Sequence, residues 1–341
     1  MSKKQKTVIS VAHLLPHPQM TVGQAALALL KREGNRFVAL SRQAGTSEDP
    51  EVVHDMRVAC RRIRVALKDF SEFLPKWVLE MDADFKGIFE NLGKVRDLDV
   101  QILSLQDMCP DSHAKKVLLR TLECEREKAR EALGAGLVDE RFGGLVGRLE
   151  RLSVLNPQEL SESAELSLGS VAPEILQARF KKVSKLAEGV HSQAAVKTVH
   201  DFRKSSKRFR YSLEMVSPAY GKPAKRVMRR LKRLQDGVGA YIDAQIAIDR
   251  LRMMLDTAPL DTPSSELAKD LIELHQHRAD ETIGNLSGPW KQIEGAPWKK
   301  LKRKMKRVRK KVGVESKSQG SATVTEVHGL TQRMGRIVVS L

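Results

Sequence analysis

The chain has 341 residues, and its 60 Lys and Arg residues exceed its 42 Asp and Glu residues, which gives a formal net charge of +18. Hydrophobic residues make up 41% of the sequence, enough for a packed core, and the length suggests two structural units. Aromatic residues make up only 4%, which argues against a β-sandwich or barrel and against a surface that stacks many bases, while the excess positive charge indicates a polyanionic partner.

The first segment, residues 1–20, is predicted to be a flexible basic tail. Its apolar run is short, is interrupted by Ser10 and His13, and lacks the small-residue cleavage site of a signal peptide. The three cysteines form no CxxC pair and no even disulfide framework, which favours a reducing cytoplasm. No stretch approaches the roughly 20 apolar residues that would span a bilayer, so we expect a cytoplasmic protein without a membrane partner.

Two helical units follow, and we place them at residues 21–155 and 168–311. Ala, Leu, Lys, Arg and Glu dominate both units, and apolar residues recur at spacings of three and four, the period of a helix. The connection at residues 156–167 is rich in Ser and Glu and contains no Lys or Arg, which indicates a linker. Residues 312–341 are predicted to be a C-terminal tail, either disordered or docked as a short strand such as Arg336–Ser340.

An internal repeat relates the two units. The segment Val52–Leu67, VVHDMRVACRRIRVAL, aligns with Thr198–Leu213, TVHDFRKSSKRFRYSL, at an offset of 146 residues. The same register continues without a gap over more than 40 residues, so we predict a duplication. The aligned pairs include His54 with His200, Arg57 with Arg203, Arg61 with Lys207, Arg64 with Arg210, Gly93 with Gly239 and Asp97 with Asp243.

Each copy of the repeated motif has two faces when it is placed on a helix at about 100° per residue. One face is an apolar stripe, and the other, about 140° away, is a line of cations at steps of three and four residues. Like charges at such spacings repel each other, so this line indicates that a polyanion or acidic groups from elsewhere lie against it. The alternative interpretation is an ordinary solvated face. The lines consist of His54, Arg57, Arg61, Arg64 and Lys68 in the first copy and His200, Arg203, Lys207 and Arg210 in the second.

Charged residues near these lines have two interpretations. Arg62 and Arg208 lie off the main line of each helix and are also candidates for structural ion pairs. Asp97 and Asp243 are natural partners for such arginines, and metal binding or catalysis is the alternative role for these two carboxylates.

Further basic residues are concentrated in two segments. Residues 197–233 contain thirteen basic and two acidic residues, and Arg229, Arg230 and Arg233 extend the basic surface of the second copy. Residues 299–311 contain ten basic residues and no acidic one. This second segment either joins the same site or forms an exposed patch for nucleic acid.

Together these residues resemble the CHAD family, the conserved histidine α-helical domain. The resemblance is carried by the paired HDxR-x3-RRxR and HDxR-x3-KRxR helices, by the Gly-x3-Asp element after each and by the opening TVGQAALALLKREGNRFVAL, and it covers residues 21–311. It implies an all-α fold of two pseudo-symmetric four-helix bundles whose basic helices face a central groove or pore that binds inorganic polyphosphate. It also implies a cytoplasmic protein that associates with polyphosphate granules.

Carried over by position, the resemblance implies a polyphosphate site built from both copies. Lys68 of the first copy is replaced by Glu214 in the second, and Asp99 is replaced by Gln245, so we expect the two halves to contribute unequally. The candidate site residues are His54, Arg57, Arg61, Arg62, Arg64 and Lys68 in the first copy and His200, Arg203, Lys204, Lys207, Arg208 and Arg210 in the second.

The sequence favours non-enzymatic binding of polyphosphate as the function. A phosphate polymer offers charge and hydrogen-bond acceptors but no base, so its receptor is a lane of Arg and Lys donors without interleaved aromatic residues. The sequence has no P-loop, no dinucleotide-binding glycine motif and no HExxH motif, and we expect no cofactor, metal or catalytic residue. Two alternatives remain: a nucleic-acid-associated basic protein and, less favoured, a metal- or phosphohistidine-dependent enzyme that uses His54 and His200.

Overall fold

The computed structural model describes residues 15–318, and over this range the chain is a succession of twelve α-helices. No β-strand occurs among these residues, which confirms the predicted all-α class. The helices are α1 (Val22–Ala44), α2 (Pro50–Asp69), α3 (Lys76–Leu79), α4 (Met81–Met108), α5 (His113–Gly136), α6 (Glu140–Val154), α7 (Leu168–Ala187), α8 (Val196–Tyr220), α9 (Lys222–Thr257), α10 (Thr262–Gly284), α11 (Ser287–Glu294) and α12 (Ala296–Ser318).

Local signals in the sequence determine where several helices begin and end. Helix α1 starts with a capping box, in which the side chains of Thr21 and Gln24 each accept a hydrogen bond from the other residue's backbone N–H. Helix α2 follows Asp49, whose carboxylate caps the first turn, and has Pro50 at its first position. Between α8 and α9 the backbone of Gly221 has a φ of 60°, a conformation that favours glycine, so the chain turns there.

The helices pack in the same order in both units. Helix α1 contacts α2 and α6, α2 contacts α4, and α4 contacts α5; correspondingly α7 contacts α8 and α12, α8 contacts α9, and α9 contacts α10. Across the two units α1 contacts α7, α2 contacts α8, and α5 contacts α10. Contacts between equivalent elements are what a two-fold relation between copies produces. The packing agrees with the duplication, which stays a prediction from the sequence.

The starts of α1 and α7 join the two units through a reciprocal pair of backbone hydrogen bonds. Val22 N–H donates to the carbonyl of Leu166, and Leu168 N–H donates to the carbonyl of Met20, both at 2.8 Å. The two bonds are related by the same 146-residue offset as the repeated motif. The two units are therefore hydrogen-bonded to each other where each unit begins, at the starts of α1 and α7.

One apolar cluster extends through both units, so the predicted units share a core over the described part of the chain. The apolar stripes of α2 and α8 lie in this core, with Met56 and Ile63 on the first helix and Phe202 and Phe209 on the second all buried. A second, smaller cluster lies where α4, α5, α9 and α10 meet. Because the apolar faces of α2 and α8 point into the core, their cationic faces point away from it.

The packing at the predicted unit boundaries differs from the sequence prediction. Met20, placed in the N-terminal tail, is buried, and Ala164, placed in the linker, is buried within a short 3₁₀ turn. Helix α12 continues to Ser318 because its apolar stripe reaches the buried Val312, so no tail begins at residue 312. Residues 1–14 and 319–341 of the two predicted tails, including the strand considered for the C-terminal one, lie outside the described residues.

A buried ion pair holds α2 against α7. The guanidinium of Arg179 donates from Nε and Nη2 to Asp69 Oδ1, at 2.9 and 2.5 Å, and both residues are 3% exposed. We expect Asp69→Ala to lower the free energy of unfolding by about 3–5 kcal/mol, because it leaves a buried guanidinium without its counter-charge. Urea denaturation measures this loss.

The exposed Lys76–Glu80 pair, 4.0 Å apart, provides the control. Glu80→Ala should cost less than about 0.5 kcal/mol, since solvent screens an exposed pair. A loss for Asp69→Ala no larger than that of the control would contradict the structural role of the buried pair.

Candidate polyanion-binding site

The cationic faces of α2 and α8 border a cavity of about 270 Å³, which we call the α2–α8 cavity. Nine of the predicted site residues line it, four from α2 and five from α8, and Asp97 is the only carboxylate among the lining residues. The cationic and histidine lining consists of Arg57, Arg61, Arg64, Lys68, His200, Arg203, Lys204, Lys207 and Arg208.

An aromatic ring of α4 supports the arginines of α2. The guanidinium carbons of Arg57, Arg61 and Arg64 lie 4.4, 5.2 and 5.7 Å from the centroid of the Phe89 ring, within the range of cation–π interactions. Phe89 is not among the site residues predicted from the sequence. The signal was present, because Phe89 lies four residues before Gly93 and eight before Asp97, on the same face of α4.

A second ring, that of the buried Tyr211 on α8, connects the two units beside this cavity without lining it. Arg61 donates from Nη1 to the Tyr211 hydroxyl at 3.3 Å, and its guanidinium carbon lies 5.7 Å from the centroid of that ring. The guanidinium carbon of Arg210 lies 4.5 Å from the same centroid. The faces of the Phe89 and Tyr211 rings therefore hold guanidinium groups in position. These two aromatic residues support the arginines and do not provide a surface on which bases could stack.

A glycine of α4 leaves space for one of these arginines. A Cβ atom on Gly93 would lie 3.2 Å from Arg57 Nη2, closer than ordinary contact. At the equivalent Gly239 a Cβ would meet no atom within 4 Å. The first copy of the Gly-x3-Asp element therefore has a steric reason for its glycine that the second copy lacks.

The two aspartates of these elements lie near different arginines from those predicted. Asp243 Oδ1 is 3.4 Å from Arg203 Nη2, and Asp97 raises the pKa of Arg57 against the larger effect of burial. The sequence pattern predicts Arg62 and Arg208 as their partners. That assignment was wrong for Asp243, because its α9 position faces the cationic line of α8 instead of the neighbouring off-line residue.

Burial and the proximity of like charges together disfavour the charged forms of the cations in the α2–α8 cavity. Burial, reinforced by Arg61 and Arg203, lowers the pKa of Lys207 to about 6. Burial, reinforced by Arg61, lowers the pKa of Arg57 to about 10. The buried Nε atoms of Arg57 and Arg203 have no hydrogen-bond partner within the described range. An anion in the cavity would supply the missing counter-charge and acceptors.

The two histidines of the motif occupy different surroundings. His200 lines the α2–α8 cavity, whereas His54 is not among its lining residues. Burial lowers the pKa of both, with Arg96 adding to the effect at His54 and Lys204 at His200. Both are therefore neutral at pH 7 and can donate or accept hydrogen bonds. Between residues 15 and 318 no three His, Cys, Asp or Glu residues come together in a way that could hold a metal.

Arg62 and Arg210 are outside this cavity because Glu214 binds them. Arg62 Nη2 lies 2.5 Å from Glu214 Oε1, and Arg62 also lies 3.5 Å from the buried Glu33, which makes it a structural residue. Arg210 Nη1 lies 3.5 Å from Glu214 Oε2, and its Nε donates to Gln235 at 2.8 Å. The replacement of Lys68 by Glu214 thus neutralises part of the second copy's basic line.

The remaining predicted site residues lie on α9. Arg229 is exposed and, together with Arg210, lines a second basic cavity of about 840 Å³ between α8 and the starts of α9 and α12. Arg230 donates to Gln292 of α11 at 3.2 Å, and Arg233 is exposed and lines neither cavity. None of the three reaches the α2–α8 cavity.

The basic run at residues 299–311 forms most of α12. Its apolar residues, such as Leu301 and Met305, are buried against the core, and its basic residues are mostly exposed. Lys300 lines the second cavity, and Arg309 pairs with Glu174 at 2.8 Å.

Comparison with known proteins identifies the family. The family model of the CHAD domain matches residues 28–252, more than half of the chain. The chain belongs to the CHAD family. The predicted resemblance is therefore confirmed, and the cationic motifs on α2 and α8 both lie within the matched region.

Solved structures share the fold of this CHAD protein. The crystal structure of the CHAD domain from the plant Ricinus communis aligns with a TM-score of 0.71 and 22% sequence identity, over 83% of this chain and 94% of the plant chain. PptA from Streptomyces chartreusis aligns with a TM-score of 0.64 and 16% identity, over 80% of this chain and all of PptA.

A curated relative is an uncharacterised protein of Mycobacterium tuberculosis, 26% identical over 249 residues. The match covers 67% of this CHAD chain, and the chain spans about half, 45%, of the length of that relative. Among the helices between residues 15 and 318, none is long and apolar enough to cross a membrane.

The lowered pKa of Lys207 predicts how the stability of this CHAD protein depends on pH. The unfolded chain binds a proton at Lys207 up to about pH 10.5, whereas the folded chain loses it near pH 6, so this group makes stability rise with pH between those values. Lys207→Met should therefore increase the free energy of unfolding by at least about 1 kcal/mol near pH 6 and reduce its rise towards pH 9.

Urea denaturation in phosphate-free buffer at several pH values measures this effect. Lys269→Met, at an exposed lysine of α10 that lines neither cavity, is the control and should change the free energy of unfolding by less than about 0.5 kcal/mol. If Lys207→Met lowered stability at all pH values, the ammonium group would not be in repulsion with its neighbours.

Proposed function

We propose that this CHAD protein binds inorganic polyphosphate in the α2–α8 cavity and does not process it. The observation that carries the proposal is a cavity bordered by Arg and Lys residues of both units, with a single carboxylate among its lining residues. A phosphate chain supplies negative charge at every unit and accepts hydrogen bonds from any direction, which suits a lane of such donors. Bound phosphate groups also reduce the repulsion between the cations of the cavity, and this reduction contributes to the affinity.

Arg57, Arg61, Arg203 and Lys207 are the proposed principal phosphate contacts. They line the cavity, and the pKa values of Arg57, Arg203 and Lys207 are lowered chiefly by burial. Arg64 and Lys68 are partly neutralised by Asp82, which lies 2.8 Å from Arg64 Nε and 3.5 Å from Lys68 Nζ. These two residues must exchange a carboxylate for phosphate, so their net contribution is smaller. Arg203 also has a carboxylate beside it, but its contact with Asp243 is longer than that of Arg64 with Asp82, at 3.4 Å.

Nucleic acid is the second candidate ligand, and the observation in its favour is the exposed basic surface of α12. Against it, the aromatic rings at the α2–α8 cavity are covered by guanidinium groups, and Tyr211 is only 3% exposed. Single-strand binders obtain ~1–3 kcal/mol per base from stacking on free aromatic faces, which this cavity does not offer. We therefore favour a polymer without bases and, with it, localisation of the protein at polyphosphate granules.

Neutralising the four principal contacts tests the proposed site. The combined variant Arg57→Gln, Arg61→Gln, Arg203→Gln and Lys207→Gln should weaken polyphosphate binding at least about 100-fold at about 150 mM salt, because it removes several charge-assisted hydrogen bonds and released counterions. Isothermal titration calorimetry measures the affinity, and circular dichroism checks that the variant folds.

A matched control removes four exposed cations of α5 and α10 that line neither cavity: Lys116→Gln, Arg120→Gln, Lys128→Gln and Lys269→Gln. This control should bind within about threefold of the parent protein, since it removes the same number of formally basic side chains but leaves the site intact. Unchanged affinity of the cavity variant would place the site elsewhere, and steady release of phosphate from the polymer would contradict the non-enzymatic role.

A further inference from the structure

A third cavity, of about 410 Å³, lies where α4, α9 and α10 meet; we call it the α4–α10 cavity. Among the described residues it shares none of its lining with the two basic cavities. Its volume lies in the range of about 300–1,000 Å³ that small-molecule sites occupy. Ten of the eighteen described residues that line it are apolar, and Leu105, Leu122, Leu251 and Met254 among them are buried. Such a lining favours an apolar body over a phosphate chain.

Equivalent positions of the two units line this cavity together. At the 146-residue offset Leu105 of α4 corresponds to Leu251 of α9, and Gln101 corresponds to Ala247, whose small side chain fills less of the space between the helices. Protein interiors leave few voids larger than a water molecule, because their side chains interdigitate. A space of this size between two packed helices therefore fits a ligand better than a packing defect.

Three polar side chains of the lining have nitrogen atoms without a hydrogen-bond partner. Gln101 Nε2 and Arg250 Nε are buried and have no partner within the described range, although Glu125 of α5 binds the other end of the Arg250 guanidinium. His275 is 9% exposed, and its ring makes no hydrogen bond to any other described residue. Buried donors are nearly always paired in folded proteins, so these groups call for an acceptor inside the cavity.

The lining also contains an unpaired positive charge. Arg278 of α10 is exposed and forms no ion pair within residues 15–318. Two described carboxylates line the cavity, but each has another contact: Asp243 lies 3.4 Å from Arg203, and Glu281 lies 3.7 Å from His277. Arg278 is therefore available to an anion that enters the cavity.

We propose that the α4–α10 cavity binds a small anion with an apolar body, of the class of the alkyl carboxylates. The apolar body lies against the buried leucine and methionine side chains, and the carboxylate accepts hydrogen bonds from the unpaired donors, with Arg278 supplying the counter-charge. Both parts of the ligand are needed: an inorganic anion leaves the apolar lining uncovered, and a cationic body leaves the donors unpaired. This ligand and polyphosphate would occupy separate sites.

Isothermal titration calorimetry with decanoate, acetate and decyltrimethylammonium tests both requirements, since acetate lacks the apolar body and decyltrimethylammonium carries the opposite charge. Decanoate, kept below its micellar concentration, should bind one-to-one and at least about tenfold more tightly than either of the others. Acetate or decyltrimethylammonium binding as tightly as decanoate would overturn the proposal.

Two variants locate the binding of decanoate. Arg278→Gln changes an exposed residue and should weaken it at least about threefold, because a charge-assisted hydrogen bond is lost. Ala247→Phe fills the cavity and should weaken it at least about tenfold, with circular dichroism as the check that the variant folds. Lys269→Gln, at an exposed lysine of α10 outside the cavity, is the matched control and should leave the affinity within about twofold.

A decanoate affinity that Arg278→Gln left unchanged would overturn the proposal, whether or not Ala247→Phe folds. The four-residue variant of the α2–α8 cavity should retain decanoate binding, because the two cavities share no described lining residue. Loss of decanoate binding in that variant would assign decanoate to the α2–α8 cavity and would also overturn the proposal.

Discussion

Repulsion between like charges on α2 and α8 is the constraint on which the rest of the structure depends. The cations of the two helices border one cavity, and the pKa of Lys207 falls to about 6 because burial and neighbouring guanidinium groups disfavour its charge. The fold offsets this repulsion by burying the opposite faces of both helices in a common core. Further compensation comes from the Phe89 ring under three guanidinium groups and from the buried Asp69–Arg179 pair between α2 and α7.

Some cations of the basic surface are paired with carboxylates, and others are not. Glu214 binds Arg62 and Arg210, and Asp82 binds Arg64 and Lys68, so these cations contribute to structure as well as to charge. The cations least compensated lie deeper in the α2–α8 cavity and on the first half of α9. The cations of the α2–α8 cavity are thus partly desolvated, whereas those at the start of α9 are exposed and screened by solvent. Stability and the proposed binding of polyphosphate make opposite demands on Lys207, as is common at binding sites.

Much of the site could be predicted from the sequence, because helical periodicity fixes which side chains share a face. The apolar stripes of α2 and α8 are buried, and nine predicted residues line one cavity. Contacts between helices could not be predicted this way: the pattern of α2 alone does not show that Glu33 and Glu214 bind Arg62, or that Phe89 of α4 lies under Arg57. Likewise, single apolar residues in polar segments, such as Ala164, gave no periodic signal, although the packed core buries them.

The most direct test of the central claim is a competition titration with long-chain polyphosphate, double-stranded DNA and single-stranded RNA at about 150 mM salt, where non-specific attraction is screened. The account predicts that polyphosphate displaces both nucleic acids from the protein, and that this preference disappears when Arg57, Arg61, Arg203 and Lys207 are replaced by Gln. Displacement of polyphosphate by either nucleic acid at equal phosphate concentration would contradict it.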